Sequence, residues 1–82
     1  MNLSFKDTAK KDLDKLLKTE ARKVFKKIEL LKEVPFAGKL LGGEFGGVRS
    51  VRAWPYRILY KVDSKTGIMI LTVRHRQGAY KN

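Results

Sequence analysis

The sequence predicts an α+β domain of order β-α-α-β-β-β, an N-terminal helical hairpin packed on a small antiparallel sheet. Three observations carry this reading. Up to Glu33 the apolar residues recur at the three-to-four spacing of amphipathic helices. After Gly47 the period changes to two, in three runs rich in β-branched and aromatic residues. Between the two halves, Val34 to Gly47 holds Pro35 and five of the seven glycines, the composition of a loop.

Taken in chain order, Asn2 to Lys6 alternates weakly, with Leu3 and Phe5 on one face, and is expected to form a short first strand. Asp7 or Thr8 can cap the first helix, whose stripe is Ala9, Leu13, Leu16 and Leu17 and which is expected to end near Lys18. Thr19 is the expected cap of a second helix over Glu20 to Glu33, carried by Ala21, Val24, Phe25, Ile28 and Leu31 and stopped by Pro35. The short break between them predicts an antiparallel hairpin. In the glycine-rich loop, Leu40 and Leu41 are expected to reach the core. The three following strands are expected at Val48–Ala53, Tyr56–Val62 and Ile68–His75, with hairpin-length separators at Trp54-Pro55 and at 63–67. In the first of them, Val48 and Val51 stand three apart, which puts them on opposite faces or requires a bulge. In the last, strict alternation sets Met69, Leu71, Val73 and His75 against Ile68, Ile70, Thr72, Arg74 and Arg76. Apolar residues on both faces of the second and third runs predict a sheet partly covered on each side.

Composition narrows the chemistry. The 82 residues make one small domain, expected over 1–82, with a formal charge of +11. With 43% apolar residues the chain is too hydrophobic for a disordered basic tail, and its apolar runs are far too short to span a membrane. No export signal is apparent at the N-terminus, so a cytoplasmic address is expected. No cysteine and a single histidine exclude thiolate zinc sites, cysteine nucleophiles and histidine-rich clusters, and neither metal nor cofactor is expected.

The charge is unevenly spread. Met1 to Glu44 carries 11 basic and 7 acidic residues, whereas Phe45 to Asn82 carries 8 basic residues against Asp63 alone. Five of the six arginines, Arg49, Arg52, Arg57, Arg74 and Arg76, lie in that second half. Arginine suits bidentate phosphate recognition, so a polyanionic partner is the leading inference over a merely solubilising surface. Arginines held on strands can be aimed at one phosphate. RNA cleavage then needs no outside nucleophile, since the ribose 2′-OH can attack its own 3′-phosphate once aligned, with cations stabilising the added charge. Tyr80 or His75 can move the proton, and Trp54, Tyr56, Phe45 and Tyr80 can stack unpaired bases. Each residue also has a structural reading: Arg57 as a solvent-facing strand residue, Tyr56 and Tyr60 as packing, Trp54 as a turn anchor, His75 as a hydrogen-bonded histidine, Tyr80 as a tether for the tail.

The ordered pattern of Leu40-Leu41-Gly42, Gly47-Val48-Arg49-Ser50-Val51-Arg52, Tyr56-Arg57-Ile58-Leu59-Tyr60-Lys61-Val62 and Val73-Arg74-His75-Arg76, with Tyr80 four residues on, resembles the RelE/ParE superfamily of bacterial and archaeal toxins. The likeness runs over nearly the whole chain. Resemblance to RelE-type members implies a type II toxin that cuts mRNA in the ribosomal A site by 2′-OH attack without metal. It also implies that a cognate antitoxin holds the toxin inactive, and that any DNA binding occurs only through the antitoxin complex. By that likeness Arg57 contacts the scissile phosphate, Arg76 stabilises transition-state charge, and Tyr80 stacks on a base or assists proton transfer. Some RelE enzymes carry two lysines at alternate positions on the strand before the Y-R motif. Here Arg49 and Arg52 are three apart, so one or neither fills those roles and the general base stays open. Arg52 is the better phosphate ligand, and Arg49, Arg74, His75 and Lys61 complete the expected RNA-binding set. The superfamily also holds ParE-type members that poison DNA gyrase, and a non-catalytic basic RNA-binding module is a further alternative. The antitoxin is expected to be acidic, and the lysine-rich helices to serve ribosome docking or solubility.

Overall fold

The structure, a computed structural model, describes residues 2–43 and 46–76. Its elements are β1 (Leu3–Phe5), α1 (Asp7–Asp14), α2 (Lys18–Glu33), β2 (Lys39–Leu40), β3 (Arg49–Ala53), β4 (Tyr56–Asp63) and β5 (Gly67–His75). The predicted α+β architecture is present, with one strand more than the sequence suggested. The five strands form one sheet in the order β1-β5-β4-β3-β2. Three of its four pairings are antiparallel, while β1 runs parallel to β5 from Leu3 opposite Ile68 to Phe5 opposite Ile70. The parallel pairing follows from the connectivity, because the whole helical hairpin and two further hairpins separate the two strands.

The helices cover one face of the sheet. Val24, Ile28 and Leu31 of α2 and Ala9 of α1 are buried against Ala53, Ile58, Tyr60, Ile68, Ile70 and Val73, and the Phe5 and Phe25 rings meet at 6.4 Å between centroids. This is the stripe-on-sheet burial that the two periodicities require.

Four details depart from the sequence reading. The first helix stops at Asp14, where Lys15 and Leu16 close back on Asp12 and Leu13 carbonyls with tighter bonds. Leu17, 74% exposed, caps the second helix in extended conformation, so neither Leu16 nor Leu17 is helical and Thr19 lies inside α2. Thr8 is no cap: its hydroxyl donates to the Leu71 carbonyl at 2.5 Å. Finally, Leu40 is exposed, because the loop does not dive to the core but forms an edge strand, Lys39 opposite Ser50 and Leu40 opposite Arg49.

Val48 and Val51 do lie on opposite faces. Register through β3 is unbroken, Val51 sits opposite Ile58 toward the helices, and Val48 is buried with Leu59 on the other side. The irregularity is instead between β4 and β5. Tyr60 pairs with Ile70 and Leu59 with Thr72, so Leu71 is an extra residue. Strict alternation in β5 therefore fails: Ile68, Ile70 and Val73 share the helix-covered face. Among the described residues no helix is long and apolar enough to cross a membrane.

Candidate functional site

The face of the sheet turned away from the helices carries the concentration of arginine. Arg52 of β3 stands directly opposite Arg57 of β4, and Arg57 directly opposite Arg74 of β5. Residues paired across strands point to the same face, so these three form a row across the sheet. Like charges in directly opposed positions destabilise a sheet, typically by a few tenths to ~1 kcal/mol per pair. A row of three is a cost that a purely structural surface would shed, and it makes a fixed field for an anion.

The bulge at Leu71 builds this row. Were the register of Tyr60 with Ile70 to continue, Val73 would face Arg57 and Arg74 would point to the helices. The extra residue shifts the pairing by one, turning Val73 into the core and Arg74 onto the open face. The bulge is held from α1. Past Phe5 the short β1 no longer covers the edge of β5, and α1 takes over: Thr8 bonds the Leu71 carbonyl, and the Asp12 carboxylate accepts from Val73 N at 3.0 Å and from the Thr72 hydroxyl at 2.5 Å. Thr72 Oγ1 in turn accepts from Arg74 Nε at 3.0 Å. Asp12 thus orients Arg74 through Thr72, a positioning pair that no local pattern announces because sixty residues separate them.

At the end of the row, Arg76 N donates to the Pro55 carbonyl at 2.8 Å, closing the strand end onto the β3–β4 turn. The Arg76 and Arg52 guanidinium carbons lie 5.3 and 5.8 Å from the centroid of the Trp54 ring, which is 55% exposed. Lys61, two residues along from Leu59, shares the open face and pairs with Met69.

Two expected site residues stand apart. Arg49 pairs with Tyr60 on the helix-side register, and its Nη1 donates to Gly38 O at 2.9 Å and Phe36 O at 3.4 Å, with the Phe36 ring 4.8 Å away. It clamps the 36–38 loop. His75 pairs with Tyr56 on the face opposite Arg74, their rings edge-on at 5.6 Å. Tyr60 is wholly buried and its hydroxyl bridges Gly38 N and Pro35 O. Burial raises its pKa above the ordinary 10.0, outweighing the downward pull of the Gly38 hydrogen bond and the Arg49 charge, which keeps it a neutral phenol. Tyr80 and Phe45 lie outside the described residues. Among the described residues no three His, Asp or Glu side chains are grouped to hold a metal ion.

Residues 3–80 match the family model of the ParE toxin of the type II toxin-antitoxin system parDE. The chain is 38% identical over 80 residues to Toxin RelG of Mycobacterium tuberculosis, covering 94% of this chain and 92% of that protein. Among solved structures, a chain of the toxin-antitoxin complex RelBE2 of Mycobacterium tuberculosis matches with a TM-score of 0.83 at 35% identity, over 92% of this chain and 96% of that one. A chain of the intact E. coli RelBE toxin-antitoxin complex shares the fold, with a TM-score of 0.75 at 22% identity over 89% of this chain and 93% of that one. The chain belongs to the RelE/ParE superfamily of type II toxin-antitoxin toxins.

Proposed function

We propose that this toxin is a ribosome-dependent mRNA endoribonuclease of the RelE type. The observation that carries the reading is the in-register row Arg52, Arg57 and Arg74 on the face turned away from the helices, with Arg76 beside Arg52 at Trp54. A phosphate seated on that row lies under several fixed guanidiniums. The ribose 2′-OH attacks the adjacent phosphorus, the new P–O bond closes a 2′,3′-cyclic phosphate, and the P–O bond to the 5′ oxygen breaks. The 2′ proton leaves to a base, and the departing 5′ oxygen takes up a proton. Arginine's part is electrostatic: Arg57 holds the scissile phosphate, and Arg52 and Arg76 counter the charge that builds up in the phosphorane. Tyr80 is the candidate for proton transfer or base stacking, and the base remains unassigned.

The partner reading follows from charge and kinship. A basic toxin of +11 fits an acidic antitoxin that covers the open face, and the relatives RelBE2 and RelBE are toxin-antitoxin complexes. Ribosome and mRNA are the proposed targets, and a DNA contact would come only through the antitoxin.

A second reading is a gyrase poison of the ParE type, since the superfamily to which the matching model belongs holds both kinds of toxin. Mapping mRNA ends in a translating extract, alongside a gyrase supercoiling assay, separates the two. The nuclease reading expects codon-phased cuts, lost in Arg76→Ala and strongly reduced in Tyr80→Phe, with supercoiling untouched. Intact mRNA together with blocked supercoiling would replace it with a gyrase poison.

A further inference from the structure

Beside the arginine row lies a concavity that the proposed chemistry does not use. β2 pairs only with Arg49 and Ser50, so the edge of β3 is left open from Val51 to Ala53, and α2 passes along it. Between them is a cavity of about 550 Å³. It is lined by the apolar Leu30, Ala53 and Trp54 and by the cationic Lys23, Lys26 and Lys27 of α2 with Arg52. Leu30 is 47% and Trp54 55% exposed, so both present apolar surface to whatever enters. Lys23, 56% exposed, also has an ion pair at 3.6 Å with the half-buried Glu20.

The two halves of this lining ask for a ligand with two characters. A bare polyanion has no use for an exposed indole and leucine, and an apolar group alone has no use for four cations around it. An unpaired nucleotide has both a flat base and a phosphate. The Arg76 and Arg52 guanidinium carbons lie over the Trp54 ring at 5.3 and 5.8 Å, within cation–π range, so a base that stacks on the indole takes the place of a guanidinium and leaves that cation for its phosphate. Continuity decides between RNA and an acidic peptide. Arg52 both lines the cavity and opposes Arg57, so a strand lying on the arginine row leads directly into this cavity.

We propose that the cavity is a second RNA subsite, in which an unpaired base outside the linkage being cut stacks on Trp54 and its phosphates lie on Lys23, Lys26 and Lys27. The assignment rests on the arginine row being RNA-facing. It extends the footprint of the strand from the sheet to α2 and gives three of the helical lysines a ligand.

Trp54 is the single tryptophan of the chain and reports on the subsite directly. The test is a fluorescence titration of the full chain with a short 2′-O-methyl RNA, which cannot be cut by 2′-OH attack. Inorganic polyphosphate and an acidic Leu/Glu peptide serve as comparison ligands. Saturable quenching by the oligonucleotide, and not by polyphosphate, is expected. Anisotropy of a labelled oligonucleotide should show Trp54→Ala binding roughly 5- to 150-fold weaker, the range for loss of one stacked base, with Trp54→Phe largely rescuing it. The triple change of Lys23, Lys26 and Lys27 to Ala should lower the slope of log affinity against log salt by about 2, at ~0.7 per phosphate contact. Equal quenching by polyphosphate would overturn the subsite. So would saturation by the peptide without the oligonucleotide, or wild-type affinity in a folded Trp54→Ala protein. Parallel end mapping keeps the two readings apart. Quenching without mRNA cleavage supports the subsite and removes the nuclease, whereas cleavage without quenching does the reverse.

Discussion

Tyr60→Phe isolates a structural tyrosine from the functional ones. The ring is fully buried, and its hydroxyl accepts from Gly38 N at 2.9 Å while donating to Pro35 O at 2.8 Å. Phenylalanine keeps the ring and opens no cavity, so the loss is confined to those two bonds. An orphaned buried N–H costs about 1–3 kcal/mol and the second bond about 1 kcal/mol, giving roughly 2–4 kcal/mol in all. For a domain of this size that lowers Tm by roughly 8–30 °C. The pH dependence has a definite sign. Because burial raises the Tyr60 pKa above 10.0, the folded state holds the proton more tightly than the unfolded chain. Its contribution is fully present below pH 10.0 and is lost as pH rises through the folded-state pKa. Urea denaturation of both proteins from pH 7 to 11 should therefore give a gap that is constant to pH 10 and narrows above it. A difference below ~0.5 kcal/mol at pH 7, the size of an ordinary surface change, would refute the latch, and so would a gap that widens in alkali.

Other outcomes follow from the same contacts. Gly38→Ala should be as damaging as Tyr60→Phe, since a Cβ at that position meets the Tyr60 hydroxyl at 2.5 Å, and thermal melts will measure it. Gly67→Ala should destabilise strongly, because Gly67 has φ +95° and a Cβ there runs into the Asn2 carbonyl where β1 joins β5; amide exchange at Ile68 should rise most. Asp12→Asn should weaken the support of the bulge by about 1–2 kcal/mol in urea titrations and reduce cleavage through Arg74, with Arg52 and Arg57 left in register.

Much of the fold was legible because it rests on period. The stripe of Val24, Ile28 and Leu31 and the alternation of Ile58 and Tyr60 became the core in the way the sequence implied. The reading of Tyr60 as packing was right, and so was the concentration of field in the arginine-bearing strands. Three features were hidden for the same physical cause, dependence on a distant partner. β2 exists because Ser50 and Arg49 offer an edge, and its exposed Lys39-Leu40 has no local strand signal. The hold of α1 on β5 through Thr8 and Asp12 joins residues 63 and 61 positions apart. The bulge at Leu71 is invisible to alternation, yet it decides which face Arg74 occupies. Of the expected site, Arg52, Arg57 and Arg74 are together and Arg76 joins Arg52 at Trp54, while Arg49 was claimed by the 36–38 loop.

The central claim is that position on the arginine row, and not bulk positive charge, carries the activity. It is tested most directly by single-turnover cleavage of mRNA on programmed ribosomes, comparing Arg57→Ala with Lys65→Ala, which removes one charge from the exposed β4–β5 turn. Arg57→Ala should lose ~100- to 1,000-fold, the scale of removing one fixed charge from the reacting phosphate, and Lys65→Ala should stay within a few-fold of the parent. Equal losses in the two variants would contradict it.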